Sequence, residues 1–345
     1  MNTASDGLAI PSADIPSWAG AASACTGLRT TAAHDADDHA HNLTGWDQLY
    51  DQLSAGRFSG QLTELRLPQM QIFRESTSQA LRQSCRVWSD SFWFGVPHAS
   101  GSENQALPTR INGRLHGHND IMVRPGSEPF ELVTPPSHSL FGVVVKRLAL
   151  MDAANAQGCV VDWAALQGAE LLHVQDAARS LCVQTLQALL QPDPMAQHGM
   201  GRRHADGLQD AVLDVMLHML DSSEVDTSTR NSFARRQGVV SRARAHLLAH
   251  PDQPVTVPEL CQQLHVSRRT LQYCFEDVLG FSPIQYLRAI RLNGARRHLR
   301  EPNPCHQTVH DVAAHWGFWH LSQFSSDYRK LFSETPSETR KACPH

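Results

Sequence analysis

Thr256-Val257-Pro258-Glu259-Leu260 returns fifty-two residues later as Thr308-Val309-His310-Asp311-Val312, and this recurrence decides the fold of the C-terminal third. Further along, Leu271 matches Phe324, Phe275 matches Tyr328 and Pro283 matches Pro336, each at an offset of 53. One residue is therefore gained in the turn between. Self-similarity at such a spacing marks copies of one supersecondary unit.

Each copy reads as two helices and a tight turn. Thr256 is a good N-cap, and Glu259 three residues on completes a capping box. The helix it starts buries Leu260 and Leu264; His265-Val266 makes the turn. Ser267 caps the next helix, whose Leu271 and Phe275 point inward at i and i+4, and Gly280 stops it in a left-handed conformation. Arg268, Arg269, Gln272 and Tyr273 remain outside, all long donors near the helix N-terminus, and with the cap Ser267 they are the candidate DNA contacts of this copy. A major-groove reading helix needs such groups, because arginine pairs bidentately with guanine and glutamine with adenine. In the second copy Thr308 and Asp311 open the first helix, and Gly317 closes it. Phe324 and Tyr328 turn inward, while Ser322, Gln323, Ser325 and Ser326 face out with Arg329 and Lys330 behind them. Short hydroxyl side chains suit phosphate contacts and permissive base contacts. Between the copies, Ser282 caps a helix with Pro283 at its first position. Ile284, Leu287, Ile290, Ala295 and Leu299 line one side, and Arg291, Arg296, Arg297 and Arg300 are available to the DNA backbone. Such a rod, roughly 25 Å long at 1.5 Å per residue, spaces two reading helices for successive major grooves about 34 Å apart.

Charge follows the same division. The chain of 345 residues carries a net charge of −4, yet the part from Arg230 onward is +7 and the remainder −11. A basic segment joined to an acidic one is the footprint of a nucleic-acid-binding domain on a sensor. Hydrophobic residues make up 41% and charged residues 19%, and the length suits about two domains at ~150 residues each. No apolar run approaches the ~20 residues of a membrane span, and Met1 to Asp6 lacks a basic region leading into an apolar one. Eight scattered cysteines without a C-x-x-C pair fit reduced thiols in a cytoplasmic protein.

The predicted fold class is α+β: a small N-terminal β-sandwich or barrel sensor with trailing helices, then an all-α domain of two helix-turn-helix units joined by a linker helix. Residues 1–42, rich in Ala, Ser, Asp and His, read as a mobile tail, including His34-Asp35-Ala36-Asp37-Asp38-His39-Ala40-His41. Residues 43–220 form the sensing and possible dimerisation domain. It opens with a helix over Trp46–Leu53 and continues in short alternating segments, among them residues 61–67, 91–96 and 140–145. Leu171, Val174, Ala178, Leu181, Val183, Leu186 and Leu190 mark one helical face, and Leu208, Val212, Val215, Met216 and Met219 a second. A Pro192/Pro194 and Gly199/Gly201 break separates the two. Residues 221–234 read as the linker and 235–345 as the DNA-binding domain.

Residues 264–272 and Trp316-Gly317-Phe318-Trp319-His320-Leu321-Ser322-Gln323-Phe324 resemble the two helix-turn-helix signatures of AraC/XylS-type transcription regulators. Phe332-Ser333-Glu334-Thr335-Pro336-Ser337 resembles that family's closing motif, with Ser333 where glycine is usual. The match covers about residues 235–340 and implies binding to double-stranded DNA and work with RNA polymerase. A narrower resemblance, to regulators of ethanolamine-utilisation operons, is carried by residues 44–53, Gly60-Gln61-Leu62-Thr63-Glu64-Leu65, Ile72-Phe73-Arg74-Glu75, and 81–88 through 92–95. It implies an activator responding to ethanolamine together with adenosylcobalamin. A small cationic amino alcohol needs a carboxylate and an aromatic face, for which Glu75, Trp88, Trp93 and Phe94 are the candidates; core packing is the competing role of the three aromatics. No D-x-H-x-x-G motif of the kind that often binds cobalamin occurs.

An enzyme is the rival class. His116-Gly117-His118 is similar to the H-x-H of metal-binding cupin barrels, but the carboxylate expected a few residues later is missing, since Asp120 is too close and residues 121–124 offer none. Neither a catalytic residue nor a metal ligand is assigned, and no nucleophilic triad motif is present.

Overall fold

The computed structural model describes residues 27–98, 108–191, 202–225, 230–253, 255–301 and 307–341. They fall into two compact units: one holds residues 59–228 with the described chain before Asp51, the other holds Asp51–Phe58 with the chain from residue 229.

The first unit opens with Arg29–Ala33 (β1), Ala36–Ala40 (α1) and Asp47–Gln52 (β2), the last running on into the other unit. Gly60–Leu67 (β3), Met70–Thr77 (β4), Leu81–Arg86 (β5), Ser91–Pro97 (β6), Arg110–Ile111 (β7) and Arg114–Leu115 (β8) follow. Asp120–Pro125 (β9), Phe130–Thr134 (β10) and His138–Lys146 (β11) complete the β-rich part. Arg147–Gln157 (α2), Trp163–Gly168 (α3), Leu171–His173 (β12), Asp176–Leu189 (α4), Arg202–Asp221 (α5) and Glu224–Val225 (β13) trail it. Two sheets result, in the orders β1-β3-β4-β11-β6-β9-β12-β13 and β2-β5-β10-β7-β8.

Strand alternation sends the two faces of the large sheet to different neighbours. Ile72, Phe94 and Val143 share one face by register, and they join Leu150, Leu186, Met216 and Met219 of the helices in a single apolar cluster. Phe73, Glu75 and Trp93 lie on the opposite face, toward the small sheet. There Trp93 stacks on Phe130 at 4.7 Å and Gln83 approaches Glu75 at 3.4 Å. Gly142 and Gly95 sit directly opposite each other on β11 and β6. A Cβ at Gly142 would come within 2.1 Å of the Phe73 ring, and one at Gly95 within 2.5 Å of Trp93. The two glycines make the hollow that the aromatic rings fill.

Several expectations are corrected. Residues 29–40 are not tail: β1 pairs with β3, and Asp35 caps α1 through the amides of Asp37 and Asp38. His39 turns inward, 3.1 Å from the Glu75 carboxylate and beneath Gly60, where any Cβ would meet its ring at 2.6 Å. Residues 1–26 lie outside the described residues, as does the 192–201 break. Residues 47–52 are a strand rather than a helix. Trp46, Leu49 and Leu53 imitate a helical stripe, but Gln48 and Tyr50 share a face two residues apart, joined at 3.0 Å. Leu171 belongs to a strand and Leu181 is exposed. The supposed linker holds β13 and the start of the helix Arg230–Ala249 (α6), while residues 226–229 lie outside the description.

His138 is 8% exposed, and burial pushes its imidazole down to about 4, against the pull of Glu75 and with His116 adding to the depression. The unfolded chain takes that proton near its ordinary 6.5, so stability is complete above this pH and is lost as pH falls toward 4. The loss attributable to this residue is about 3 kcal/mol. Thermal unfolding between pH 7 and 4.5 should show a smaller drop for His138→Leu than for the parent protein.

The second unit is helical. After α6 come Val257–Leu264 (α7), Arg268–Leu279 (α8), Pro283–Arg300 (α9), Val309–His315 (α10), Leu321–Phe332 (α11) and Pro336–Lys341 (α12). Asp51–Phe58 is built into it. The Asn293 amide accepts from the Gln52 N–H and donates to the Gln52 carbonyl, both at 2.9 Å, as a strand partner would. Gln52 Nε2 and the Gly56 N–H both donate to the Leu331 carbonyl, at 2.7 and 3.0 Å. Arg297 pairs with the buried Asp51 at 2.9 Å.

Candidate nucleic-acid interface

The two copies fold as the sequence predicts, down to their caps. The Thr256 and Ser267 side chains accept from the amides of Glu259 and Thr270, and Glu259 reaches back to complete a capping box. In the second copy Thr308 and Asp311 form the same box. His265 turns the first copy with φ 53° and Gly317 turns the second with φ 72°. Ser333 adopts φ 58° where the first copy has Gly280 at φ 77°, so the serine carries the left-handed stop despite its side chain. The extra residue of the second turn changes its cap: His320 occupies the N-cap of α11 and makes no side-chain cap bond. Thr308→Ala removes the side-chain half of its box, the acceptor for the Asp311 N–H, while the residue 308 N–H still reaches the Asp311 carboxylate; it should cost the helical unit about 1 kcal/mol, read as a lower urea midpoint.

Helix α8 buries Leu271, Cys274, Phe275, Val278 and Leu279. Its other face presents Ser267, Arg268 and Arg269 to solvent. Among the described residues neither guanidinium has an acidic partner. Gln272 is half-buried and donates to Glu276, at 2.5 Å. Tyr273 is 55% exposed with the Arg236 guanidinium 5.8 Å over its ring, and Arg236 is itself held by Asp277 at 2.7 Å. All five predicted residues of this copy therefore lie on one helix or its cap, with the two arginines the most available.

Helix α11 keeps Phe324, Tyr328, Leu331 and Phe332 inside. Ser322, Gln323 and Ser326 are exposed and Ser325 is half-buried, as the pattern predicts. Gln323 donates to Asp327 at 3.0 Å, and Asp327 also pairs with Arg288. By the 53-residue offset, Leu321, Ser322, Ser325 and Ser326 stand where α8 has Arg268, Arg269, Gln272 and Tyr273. Sequence reasoning passed over Trp319 and Leu321, which are 66% and 40% exposed beside the start of α11. Apolar groups there suit contact with a thymine methyl. Large apolar residues in a polar first turn were the signal.

The linker-helix arginines are otherwise occupied. Arg291 donates to the Gln253 carbonyl at 2.5 Å, and burial lowers its pKa. Arg296 binds Glu334 at 2.6 Å over the Phe332 ring, and Arg297 holds Asp51. These three brace the unit rather than waiting for phosphate. Ile284, expected inside, is 59% exposed, because at the second helical position it faces away from the packed side. Gly294 permits close packing of α9: a Cβ would meet the Trp316 ring at 2.2 Å.

A family model described as a helix-turn-helix domain matches residues 260–342. Residues 260–342 therefore form a helix-turn-helix domain. A probable thc operon regulatory protein of Rhodococcus erythropolis is 36% identical over 107 residues, 31% of this chain and 32% of that relative. The HTH-type transcriptional regulator GbdR of Pseudomonas aeruginosa is 28% identical over 156 residues, 44% of this chain and 42% of that relative. A solved AraC-type regulator from Chromobacterium violaceum is 31% identical and covers 32% of this chain and 99% of its own, with a TM-score of 0.29. The chain thus spans about a fifth to under a half of the length of the curated relatives it matches.

The effector candidates do not form one cluster. Glu75 and Trp93 share the inter-sheet face, Phe94 packs into the apolar cluster on the other face, and Trp88 lies beyond β5, its carbonyl accepting from Ser91. Glu75 accepts from Tyr50 at 2.9 Å and faces His39. Burial alone would raise its pKa, yet these partners hold the carboxyl below its ordinary value. His116 is pushed down to about 4 by burial. Among the described residues no group of three His, Cys, Asp or Glu is placed to hold a metal ion, and no helix is long and apolar enough to cross a membrane.

Proposed function

We propose that this chain is a sequence-specific DNA-binding transcription regulator of the AraC type, acting with RNA polymerase and controlled by a small molecule bound in the β-rich unit. The observation that carries the reading is the exposed Arg268/Arg269 pair at the start of α8, repeated by an equivalent helix on a capped, internally braced frame. Selection of binding sites from a random duplex library by the intact protein tests it. Enrichment of a bipartite site with halves about one helical turn apart is expected; an unenriched pool sinks the proposal.

The finer reading is activation of ethanolamine-utilisation genes in response to ethanolamine and adenosylcobalamin, with a homodimer as the acting species. Its support is the resemblance in residues 44–95 and the buried carboxylate of Glu75. Against ethanolamine stands His39, which already occupies that carboxylate at 3.1 Å. The pocket at the end of β4, about 270 Å³, is too small for a corrin, so adenosylcobalamin enters on the resemblance alone. Calorimetry of the intact protein with each compound, singly and together, tests this part: no heat from either removes it and leaves DNA binding standing. A different small catabolite is the alternative, and the size of that same pocket favours it.

A further inference from the structure

We propose that Leu321, at the start of α11, reads the C5 methyl group of a thymine, so that the two halves of the DNA site are recognised by different chemistry. The inference rests on the DNA-binding reading and deepens it. The 53-residue offset places Leu321, Ser322, Ser325 and Ser326 where α8 carries Arg268, Arg269, Gln272 and Tyr273. Four long donors are thus replaced by one branched apolar side chain and three short hydroxyls.

Elimination among the four bases leads to the same residue. In the major groove guanine is recognised by a cationic fork, adenine by a carboxamide and cytosine by a carboxylate. The first cation within α11 is Arg329, in its last turn, and about 12 Å along the axis from Leu321. His320, at the N-cap, has no fork to offer. The carboxamide of Gln323 donates to Asp327 at 3.0 Å. That carboxylate is itself held by Arg288, and its side chain is 14% exposed. Serine hydroxyls both donate and accept, so they suit any base. Thymine is the base that remains, and its methyl is the apolar group on the major-groove edge.

Leu321 is 40% exposed although α11 has a continuous buried face in Phe324, Tyr328, Leu331 and Phe332. Trp319, just before the N-cap, is 66% exposed. Single surface apolars are ordinary; two large ones at the reading end of a repeated helix mark an interaction site. Arg329 and Lys330 are exposed further along the same helix, and their charge favours a polyanion over an apolar protein partner. A base methyl set against the leucine leaves water, which is worth about fourfold in affinity.

Anisotropy titrations of the intact protein on its selected duplex test the proposal, with each thymine replaced singly by deoxyuridine, which lacks only the methyl. One replacement, at a position that Arg269→Ala leaves unrelaxed, should weaken binding about fourfold. Leu321→Ala should bind the thymine duplex as weakly as the parent protein binds the uracil one, and should no longer distinguish them. Leu321→Met, which keeps an apolar group in place, should retain the preference. With a 5-methylcytosine–guanine pair at that position, the parent protein should bind better than with unmethylated cytosine. Three results overturn the proposal: a selected site without such a thymine, no replacement costing more than about twofold, or a thymine preference untouched by Leu321→Ala. Leu321→Ala that binds DNA like the parent protein yet activates transcription poorly would also overturn it, and would give the patch to RNA polymerase. An unenriched pool in the selection is a different failure, because it removes the DNA-binding reading and this inference with it.

Discussion

Arg269→Ala should lower affinity for the selected DNA site by about 1–3 kcal/mol, roughly 5- to 150-fold, and relax the preference at one base position. Arg268→Ala should act similarly, and the double variant should approach non-specific binding. Both side chains project from the first turn of α8 into solvent without an acidic partner among the described residues, so alanine there removes a DNA contact and little else. Anisotropy titrations on the selected site and on single-base variants give the answer. A base reader loses discrimination at its position, whereas a phosphate contact loses affinity on all sequences and flattens the salt dependence by about one unit. Uniform loss with an unchanged preference would move Arg269 from reading to positioning. The half-buried Gln272, bonded to Glu276, should show a smaller effect because its amide must first be released.

Phe324→Ala carries the largest expected cost to the fold. Its ring is fully buried between Phe318, at 5.0 Å, and Tyr328, at 5.6 Å. Tyr328 packs on Phe332 at 4.7 Å, and Arg296 lies over Phe332. Removing a buried phenylalanine costs about 3–5 kcal/mol through lost burial and the cavity left behind, against a total of about 5–15 kcal/mol for a typical domain. Hydrogen exchange of the helical unit should rise across α9, α10 and α11 together, and DNA binding should weaken at 37 °C. Phe324→Leu, which refills much of the space, should recover most of the loss. Exchange confined to α11 would show that the second copy frays separately from the rest.

The helical unit was legible because its signals are local. Thr-x-x-Glu and Thr-x-x-Asp boxes, a left-handed residue at each turn and apolar pairs at i and i+4 need no knowledge of the remainder of the chain, and the repeat supplied each reading twice. The β-rich unit was legible in kind and misread in places where distant pairing overrules local pattern. Residues 47–52 carry a helical stripe, but β5 offers them a ladder. Residues 29–40 have a tail's composition, yet β3 pairs with the strand and Glu75 receives His39. The linker arginines misled for a related reason. A run of exposed-looking arginines resembles a phosphate-binding stripe until Gln253, Glu334 and Asp51, far away in sequence, are brought beside them. Trp319 and Leu321 show the reverse case, apolar residues given no surface role that stand at the surface.

The bond between Asn293 and Gln52 bears on how this molecule can be dissected. A gene fragment starting near residue 229 would encode every helix of the DNA-binding unit and still omit one of its pieces. Without Asp51–Phe58, the Asn293 amide loses both backbone partners, Arg297 loses its carboxylate, and the Leu331 carbonyl loses two donors. Such an excised fragment is an incomplete domain, and weak DNA binding by it would report the missing octapeptide rather than the reading helices. A synthetic peptide of residues 51–58 added in trans is the natural complement.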